Sequence, residues 1–136
     1  MKAVLDTNVL VAAFVSDGLC RRLLLRARDR SYTLAISPFI RDEFARALRR
    51  KVGADAGEIR EALELIDGIS TTVDSTAVRT GITGVCRDPD GDSVLACAVS
   101  TGANHLVSGD KDLLVLENCQ GVKIVTPRTF ELLFKD

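Results

Sequence analysis

Several features that often reveal a protein's chemistry are scarce in this chain. It has no tryptophan, one tyrosine and five phenylalanines, so it offers few aromatic platforms on which nucleic-acid bases can stack. Its single histidine, His105, directly precedes an apolar run, and a structural role is expected for it. The chain shows no Ser/His/Asp arrangement, no G-x-G-x-x-G motif and no P-loop. These absences exclude the usual acyl-transfer, dinucleotide-binding and NTPase functions.

Neither the net charge nor the spacing of the cysteines indicates a binding partner. The 18 Lys and Arg residues against 19 Asp and Glu residues give a net charge of −1, so any attraction to nucleic acid must be local. The four cysteines have no C-x-x-C spacing, which favours reduced thiols in a core over a zinc site or disulfides. They are Cys20, Cys86, Cys97 and Cys119.

Long apolar runs are also missing. The stretch from Met1 to Val15 imitates a secretory signal, but Asp6 and Asn8 interrupt it and no small-x-small cleavage pattern follows. No run approaches the about 18 residues of a membrane span. We therefore expect a cytoplasmic protein with no membrane partner.

Strand and helix signals alternate along the chain. Each of the three prolines follows a good helix-capping residue and predicts a helix start, at Ser37-Pro38, Asp88-Pro89 and Thr126-Pro127. Short β-rich runs lie at 32–36 and 122–125, two more end at Leu5 and Val107, and a weaker one covers 70–73. Further helices are predicted over 19–28, with Leu23, Leu24 and Leu25 inward, and around 59–66, and 51–57 is the expected exposed turn. This rhythm predicts a single α/β domain, residues 1–136, with a small parallel sheet in a three-layer α/β/α arrangement.

Four acidic residues fall where such a sheet brings distant parts of the chain together. Asp6 ends the first apolar run, Asp110 closely follows Leu106-Val107, and Glu43 and Asp92 lie within helical patterns. Strand ends and the helix starts that follow them share one edge of a parallel sheet. Carboxylates gathered there repel one another unless they take up protons or bind a hard divalent cation such as Mg²⁺ or Mn²⁺. The sequence therefore predicts a metal-dependent enzyme.

The acids before residue 50 also have simpler interpretations, which stay open. Asp6 suits a helix N-cap, although Asn8 is placed to donate a hydrogen bond that orients a ligating carboxylate. Glu43 is predicted to face the sheet edge, because it shares a helix side with Phe39, Ile40 and Ala47. Its alternative is a surface ion pair with Arg46 at i+3.

The acids of the second half stand in two clusters. In the segment 86–92, Asp88 is predicted as the N-cap, Asp90 as a solvent-facing loop charge, and Asp92 as a first-turn residue whose carboxylate emerges at the sheet edge. In the segment 108–114, Asp110 and Asp112 can both reach a cation, but the spaced oxygen series of a calcium loop is missing.

Basic residues follow Glu43 on its helix. Arg46 and Arg50 are predicted on the same side as the acid, near Arg49 and Lys51. They are candidates for contacts with RNA phosphates. Their alternative is a solvated helix face, because basic residues toward a helix C-terminus are favourable in any case.

Four stretches, in order, resemble the PIN-domain family, and more narrowly the PIN-type toxins of bacterial toxin–antitoxin pairs. The segment 4–10 is similar to the family's opening strand with its D-T-N/S motif, and 37–43 resembles the helix that carries the second acid. The segment 87–98 resembles the D-x-x-L-A-x-A stretch, and 108–114 is similar to the fourth motif.

The resemblance implies a fold, an activity and partners. The fold is a small parallel sheet with helices on both sides, forming one nuclease domain over 1–136. The activity is endonucleolytic cleavage of RNA by water activated on one or two Mg²⁺ or Mn²⁺ ions. The implied partners are a cognate antitoxin and a second copy of the chain. The implied catalytic metal ligands are Asp6, Glu43, Asp92 and Asp110, with Thr7, Asn8 and Ser108 in support and Asp88 and Asp112 as possible additional acids.

Two other functions remain in view. An aspartyl-type phosphatase would also place a nucleophile at Asp6, but Asn8 stands where its second acid is expected and Leu10 where a threonine would help. A catalytically silent module that binds RNA or a partner would use the same acids only as helix caps.

Overall fold

A six-stranded sheet forms the centre of the protein. The computed structural model describes residues 1–73, 82 and 84–134. The strands lie in the order β3-β2-β1-β4-β6-β5, and all neighbouring pairs are parallel except β5 with β6. Their bounds are β1 Lys2–Leu5, β2 Thr33–Ile36, β3 Ser70–Thr72, β4 His105–Val107, β5 Asn118–Cys119 and β6 Val122–Val125. The predicted small parallel sheet is thus confirmed.

The antiparallel edge strand β5 was not predicted. It joins β6 through Gln120 and Gly121, whose φ angles are +48° and +88°. Positive φ at both central residues is typical of the two-residue turn that suits the twist of a hairpin. The signal in the sequence is therefore only a single glycine.

Helices flank the sheet on both faces. Consecutive residues such as Ala3, Val4 and Leu5 are all buried. Because successive side chains of a strand point to opposite faces, both faces must be covered. The helices are α1 Thr7–Val15, α2 Leu19–Arg28, α3 Pro38–Ala47, α4 Ala56–Ile69, α5 Pro89–Ser100, α6 Lys111–Leu114 and α7 Pro127–Glu131, with a π-helical turn at Leu48–Val52. In the described part of the chain, none is long and apolar enough to cross a membrane.

Local signals located most helix starts correctly. Ser37, Asp88 and Thr126 each accept a backbone hydrogen bond at the start of α3, α5 and α7, with proline at the first helical position. Two expectations were wrong. Leu25 is 40% exposed, because it lies one residue past the buried pair Leu23 and Leu24 and so turns off the apolar stripe of α2. The expected exposed turn at 51–57 is reduced to 53–55, since the π-helical turn and α4 take its two ends.

The remaining sequence features lie mostly inside the fold. His105 starts β4, at the sheet edge opposite its carboxyl end, and packs its ring on Phe130 with centroids 5.4 Å apart. Cys86 and Cys97 are buried, Cys20 and Cys119 are half-buried, and all four are free thiols.

The carboxyl ends of the parallel strands meet at one edge. Asp6, Ser37, Ser108 and Thr126 come directly after β1, β2, β4 and β6. Helices α1, α3 and α7 start there, and α6 starts three residues beyond Ser108. Of the acidic residues predicted from the sequence, Asp6, Glu43, Asp88 and Asp110 lie at this edge.

Candidate active site

A cleft of about 280 Å³ opens at the carboxyl edge of the sheet. Among the described residues that line it, the carboxylates outnumber the two cationic side chains, Arg50 and Lys51. Such an excess of negative charge in a concave site raises the local concentration of cations. The lining carboxylates are Asp6, Glu43, Asp88, Asp90 and Asp110.

Asp6 is the most buried acid of the cleft, with 9% of its surface exposed. Its Oδ1 accepts a hydrogen bond from the backbone N–H of Thr7 at 2.7 Å, and its Oδ2 accepts one from the Ser108 hydroxyl at 2.7 Å. Burial raises the pKa of Asp6, and Asp110 adds to the rise, while Ser108, Thr7 and Lys51 oppose it. Asp6 therefore caps α1 and also presents to the cleft a carboxylate whose ionised form is disfavoured by burial.

Ser108 connects the two acids that follow the central strands. Its hydroxyl is fully buried, donates to Asp6 and accepts from the backbone N–H of Asp110 at 3.0 Å. Asp110 in turn caps α6, where its Oδ1 accepts from the backbone N–H of Asp112 at 2.9 Å. One hydroxyl therefore sets the positions of both Asp6 and the loop that carries Asp110.

Asn8 has a different partner from the one expected. Its Oδ1 accepts a hydrogen bond from Lys51 Nζ at 3.0 Å, whereas the orienting bonds to Asp6 come from Ser108 and the Thr7 backbone. Asn8 consequently holds a cation near the acids instead of orienting a carboxylate.

Glu43 satisfies both interpretations of its sequence position. It lines the cleft beside Phe39 and Ala47, and 21% of its side chain is exposed. It also accepts a hydrogen bond from Arg46 at 2.6 Å. A cation or a phosphate that enters the cleft would compete with this ion pair.

The basic residues at the cleft differ in part from the predicted ones. Arg50 lines the cleft as expected, but Arg46 does not and is instead engaged by Glu43. Lys51 lines it as well, because the chain leaves α-helical geometry in the π-helical turn, which Gly53 ends with φ +74°. The 3.6-residue period could not place Lys51, since a π-turn breaks that period and has no reliable sequence signal.

The acids around the start of α5 are arranged differently from the prediction. Asp88 caps the helix as expected, by accepting from the backbone N–H of Asp90 at 3.0 Å, and it lines the cleft. Asp90 is exposed, as expected, but it lies in the first turn of α5 instead of a loop, and it also lines the cleft. Asp92 does not: its oxygens accept hydrogen bonds from the backbone N–H groups of Gly84 and Cys86.

The placement of Asp92 contradicts the expectation that it emerges at the sheet edge. One residue turns an α-helix by about 100°, so when Gly91 faces the cleft its successor points to the side. Burial acts to raise the pKa of Asp92, but the hydrogen bonds from Cys86 and Gly84 outweigh it and hold the pKa below its ordinary value. Asp112 is also outside the cleft, in a neighbouring depression that includes Asn8 and Asp110.

Comparisons with known proteins agree with this fold. A family model of the PIN domain matches residues 2–112. This chain belongs to the PIN-domain family. The comparison with curated proteins found no match. Among solved structures, VapBC2 from Rickettsia felis, crystallised bound to a DNA fragment from their promoter, is similar with a TM-score of 0.65 and 18% sequence identity, over 91% of this chain and 97% of that chain. At this identity the likeness shows a shared fold.

The donor groups of this PIN domain fit a hard divalent cation. Within the ranges that the structure describes, no three carboxylate, imidazole or thiolate groups form a ready metal cage. Mg²⁺ does not need one, because it usually keeps several waters and is held by only one or two carboxylates. Asp6 and Asp110, joined through Ser108, offer oxygen donors of that kind, and the pKa of Asp6 is raised mainly by burial and to a smaller extent by Asp110.

Proposed function

We propose that this PIN domain is a divalent-metal-dependent endoribonuclease and acts in the cytoplasm as the toxin of a toxin–antitoxin pair. The observation that carries the proposal is the convergence of the buried Asp6 with Asp110 in a cleft with three further carboxylates. Burial of an ionised carboxylate such as that of Asp6 is energetically costly, and a bound cation would offset this cost.

The residues that would hold Mg²⁺ or Mn²⁺ are Asp6 and Asp110, with Glu43 and Asp88 in the same cleft. When bound, such an ion lowers the pKa of a water molecule and neutralises charge that develops on a phosphate. The protein keeps Asp6 in one orientation through two hydrogen bonds. Ser108 keeps the Asp110 loop close to it.

Substrate binding falls to Arg50 and Lys51. Both line the cleft beside the acids, where they would contact phosphates of a single RNA strand. Contacts to phosphates carry no sequence information. The few aromatic residues of the chain offer little base stacking, so we expect that the RNA is held mainly through its backbone.

An antitoxin and a second copy of the chain are the proposed protein partners. The similar VapBC2 was crystallised with a promoter fragment, and a bound antitoxin here would cover the acidic cleft with a positively charged group. Inspection of the adjacent reading frame and co-expression of its product test this. A partner that leaves the cleft accessible to Mn²⁺ would contradict it.

The central test is Mn²⁺-dependent cleavage of a single-stranded RNA by the purified chain. Asp6→Asn and Asp110→Asn should each lower cleavage by at least about 100-fold, because changing even a residue that supports a ligand costs 10–100-fold. Asp17→Asn, an exposed acid in the loop after α1, is the matched control and should cleave normally.

Two results would refute the proposal. Undiminished cleavage by Asp6→Asn would place the activity elsewhere. RNA binding without any cleavage by the unaltered chain would favour a silent binding module, whose acids are already compensated by Lys51 and Arg46. The structure adds no support for the phosphatase alternative, because Asn8, which stands where the second acid of a phosphatase is expected, accepts a hydrogen bond from Lys51.

A further inference from the structure

We propose that Asp92 is a positioning residue, which ties the segment 84–86 to the first turn of α5 and so holds Asp88 and Asp90 at the cleft. In this assignment Asp92 does not itself bind the metal. The inference rests on the proposed metal-dependent function, but its structural part stands on contacts that need no metal.

Both oxygens of Asp92 are directed at the preceding segment. Oδ2 accepts from the backbone N–H of Gly84 at 2.9 Å, and Oδ1 accepts from the backbone N–H of Cys86 at 2.7 Å. A carboxylate that accepts several backbone bonds is held in one orientation and stays ionised without a metal.

The rotation of α5 separates Asp92 from its neighbours. Asp88, Asp90 and Gly91 line the cleft together with Val94, whereas Asp92 is half-buried beside the segment 84–86. Asp92 therefore faces the segment 84–86, whereas Asp88 and Asp90 face the cleft.

A close packing contact supports the same tie. A Cβ atom added at Gly91 would lie 3.1 Å from Cys86 Cβ and 3.3 Å from its Sγ. These distances are tighter than most contacts of a Cβ atom, so the first turn of α5 packs directly onto Cys86 and an added methyl group would require Cys86 to shift by a few tenths of an ångström. Since Asp88 follows Cys86 by only two residues and caps the same turn, a shift of Cys86 moves the acid that faces the cleft.

The contacts form a continuous chain from Asp92 to the cleft. Asp92 holds the Cys86 backbone, Cys86 packs on Gly91, and Asp88 accepts from the Asp90 N–H. Loss of the first contact should therefore loosen Asp88 and Asp90 without removing either carboxylate.

The experiment compares Mn²⁺ affinity, measured by electron paramagnetic resonance, with amide hydrogen exchange of Gly84 and Cys86 in metal-free protein. Asp92→Asn keeps an oxygen that can accept a backbone bond, so its Mn²⁺ affinity should stay within about 3-fold of the unaltered chain. Asp92→Ala removes the acceptor and should weaken binding by about 10-fold, the range seen when a supporting residue is lost. It should also speed exchange of both amides by about 10-fold or more.

Gly91→Ala is the second variant, and it removes no carboxylate. Alanine is intrinsically favoured in a helix, and the atoms nearest to its Cβ would belong to Cys86 and then to Leu113, so weaker Mn²⁺ binding with the helix intact points to displacement of Cys86. We expect it to match Asp92→Ala, with Asp17→Asn as the unaffected control and circular dichroism to verify folding.

A direct metal ligand would give the opposite pattern. If Asp92→Asn weakened Mn²⁺ binding as strongly as Asp92→Ala and Asp6→Asn, while Gly91→Ala bound normally, the positioning role would be overturned. If the unaltered chain bound no Mn²⁺, the proposed function would fail by itself. The tie would then be judged on exchange alone, and unchanged protection of Gly84 and Cys86 in Asp92→Ala would refute it.

Discussion

Replacing Ser108 with alanine removes the hydroxyl that connects the two central acids. This hydroxyl is fully buried, donates to Asp6 Oδ2 at 2.7 Å and accepts from the Asp110 N–H at 3.0 Å. A hydrogen bond to an ionised group contributes about 1.5–3 kcal/mol to stability, and a neutral bond about 1 kcal/mol. At pH 7 we therefore expect Ser108→Ala to lower the free energy of unfolding by about 3 kcal/mol.

The loss should depend on pH because one acceptor is a titrating carboxylate. Burial raises the pKa of Asp6 above its ordinary value of 3.8, and loss of the Ser108 bond must raise it further. A raised folded-state pKa means that the folded chain keeps a proton which the unfolded chain has lost. The stability that this extra proton on Asp6 contributes is fully present below pH 3.8, and it is lost as the pH rises through the folded-state pKa. The variant loses more of it, so the difference should be smaller at pH 4 than at pH 7, and should approach about 1–2 kcal/mol as Asp6 becomes protonated and only neutral bonds remain.

Urea unfolding at pH 4 and pH 7 in metal-free buffer measures both values. The matched control is Ser70→Ala, because the Ser70 hydroxyl donates to the neutral carbonyl of Ile66 at 2.6 Å. It should cost about 1 kcal/mol at either pH. If Ser108→Ala cost the same at both pH values, or no more than Ser70→Ala at pH 7, the view that Ser108 supports an ionised Asp6 would be refuted.

Three further changes test other parts of the fold and cleft. Asp6→Asn should raise the melting temperature at pH 7 in metal-free buffer, because it removes a buried charge while asparagine still caps α1; a lower value by calorimetry would contradict this. Lys51→Met should weaken RNA binding and reduce the slope of log affinity against log salt by about 0.7, the contribution of one phosphate contact on a single strand; an unchanged slope in fluorescence anisotropy would exclude the contact. Arg26→Ala and Glu131→Ala should each cost about 2 kcal/mol, because a half-buried ion pair between α2 and α7 is broken; unaltered hydrogen exchange in α7 would show that the pair does not hold this helix.

The fold was largely predictable because its determinants are local. Capping residues followed by proline marked the starts of α3, α5 and α7, and runs of apolar residues marked the central strands. Two predictions failed: Leu25 is exposed because of its position around the axis of α2, and the turn after α3 is π-helical. The helical period of α2 by itself places Leu25 off the buried stripe, whereas the π-helical turn breaks that period and has no reliable sequence signal.

The site was predictable to the extent that topology alone places it. Asp6 and Asp110 follow parallel strands, and such ends share one edge of a sheet, so their meeting followed from sequence position. Glu43 reached the same cleft on the helix that starts at this edge. The side chain that orients Asp6 was not predicted correctly from the sequence. Ser108 orients Asp6, and Asn8, which was expected to do so, pairs with Lys51.

The sequence by itself determined that this is a PIN domain with acids at the carboxyl edge of a parallel sheet, because the alternation of strands and helices, the helix caps and the motif spacing depend on residues close together in the chain. Only the tertiary structure decided which acids face the cleft. Asp88 and Asp90 do and Asp92 does not, although all three lie within five residues of one another. That choice is made by hydrogen bonds to Gly84 and Cys86 and by the contact of Gly91 with Cys86, interactions that exist only once the chain has folded back on itself.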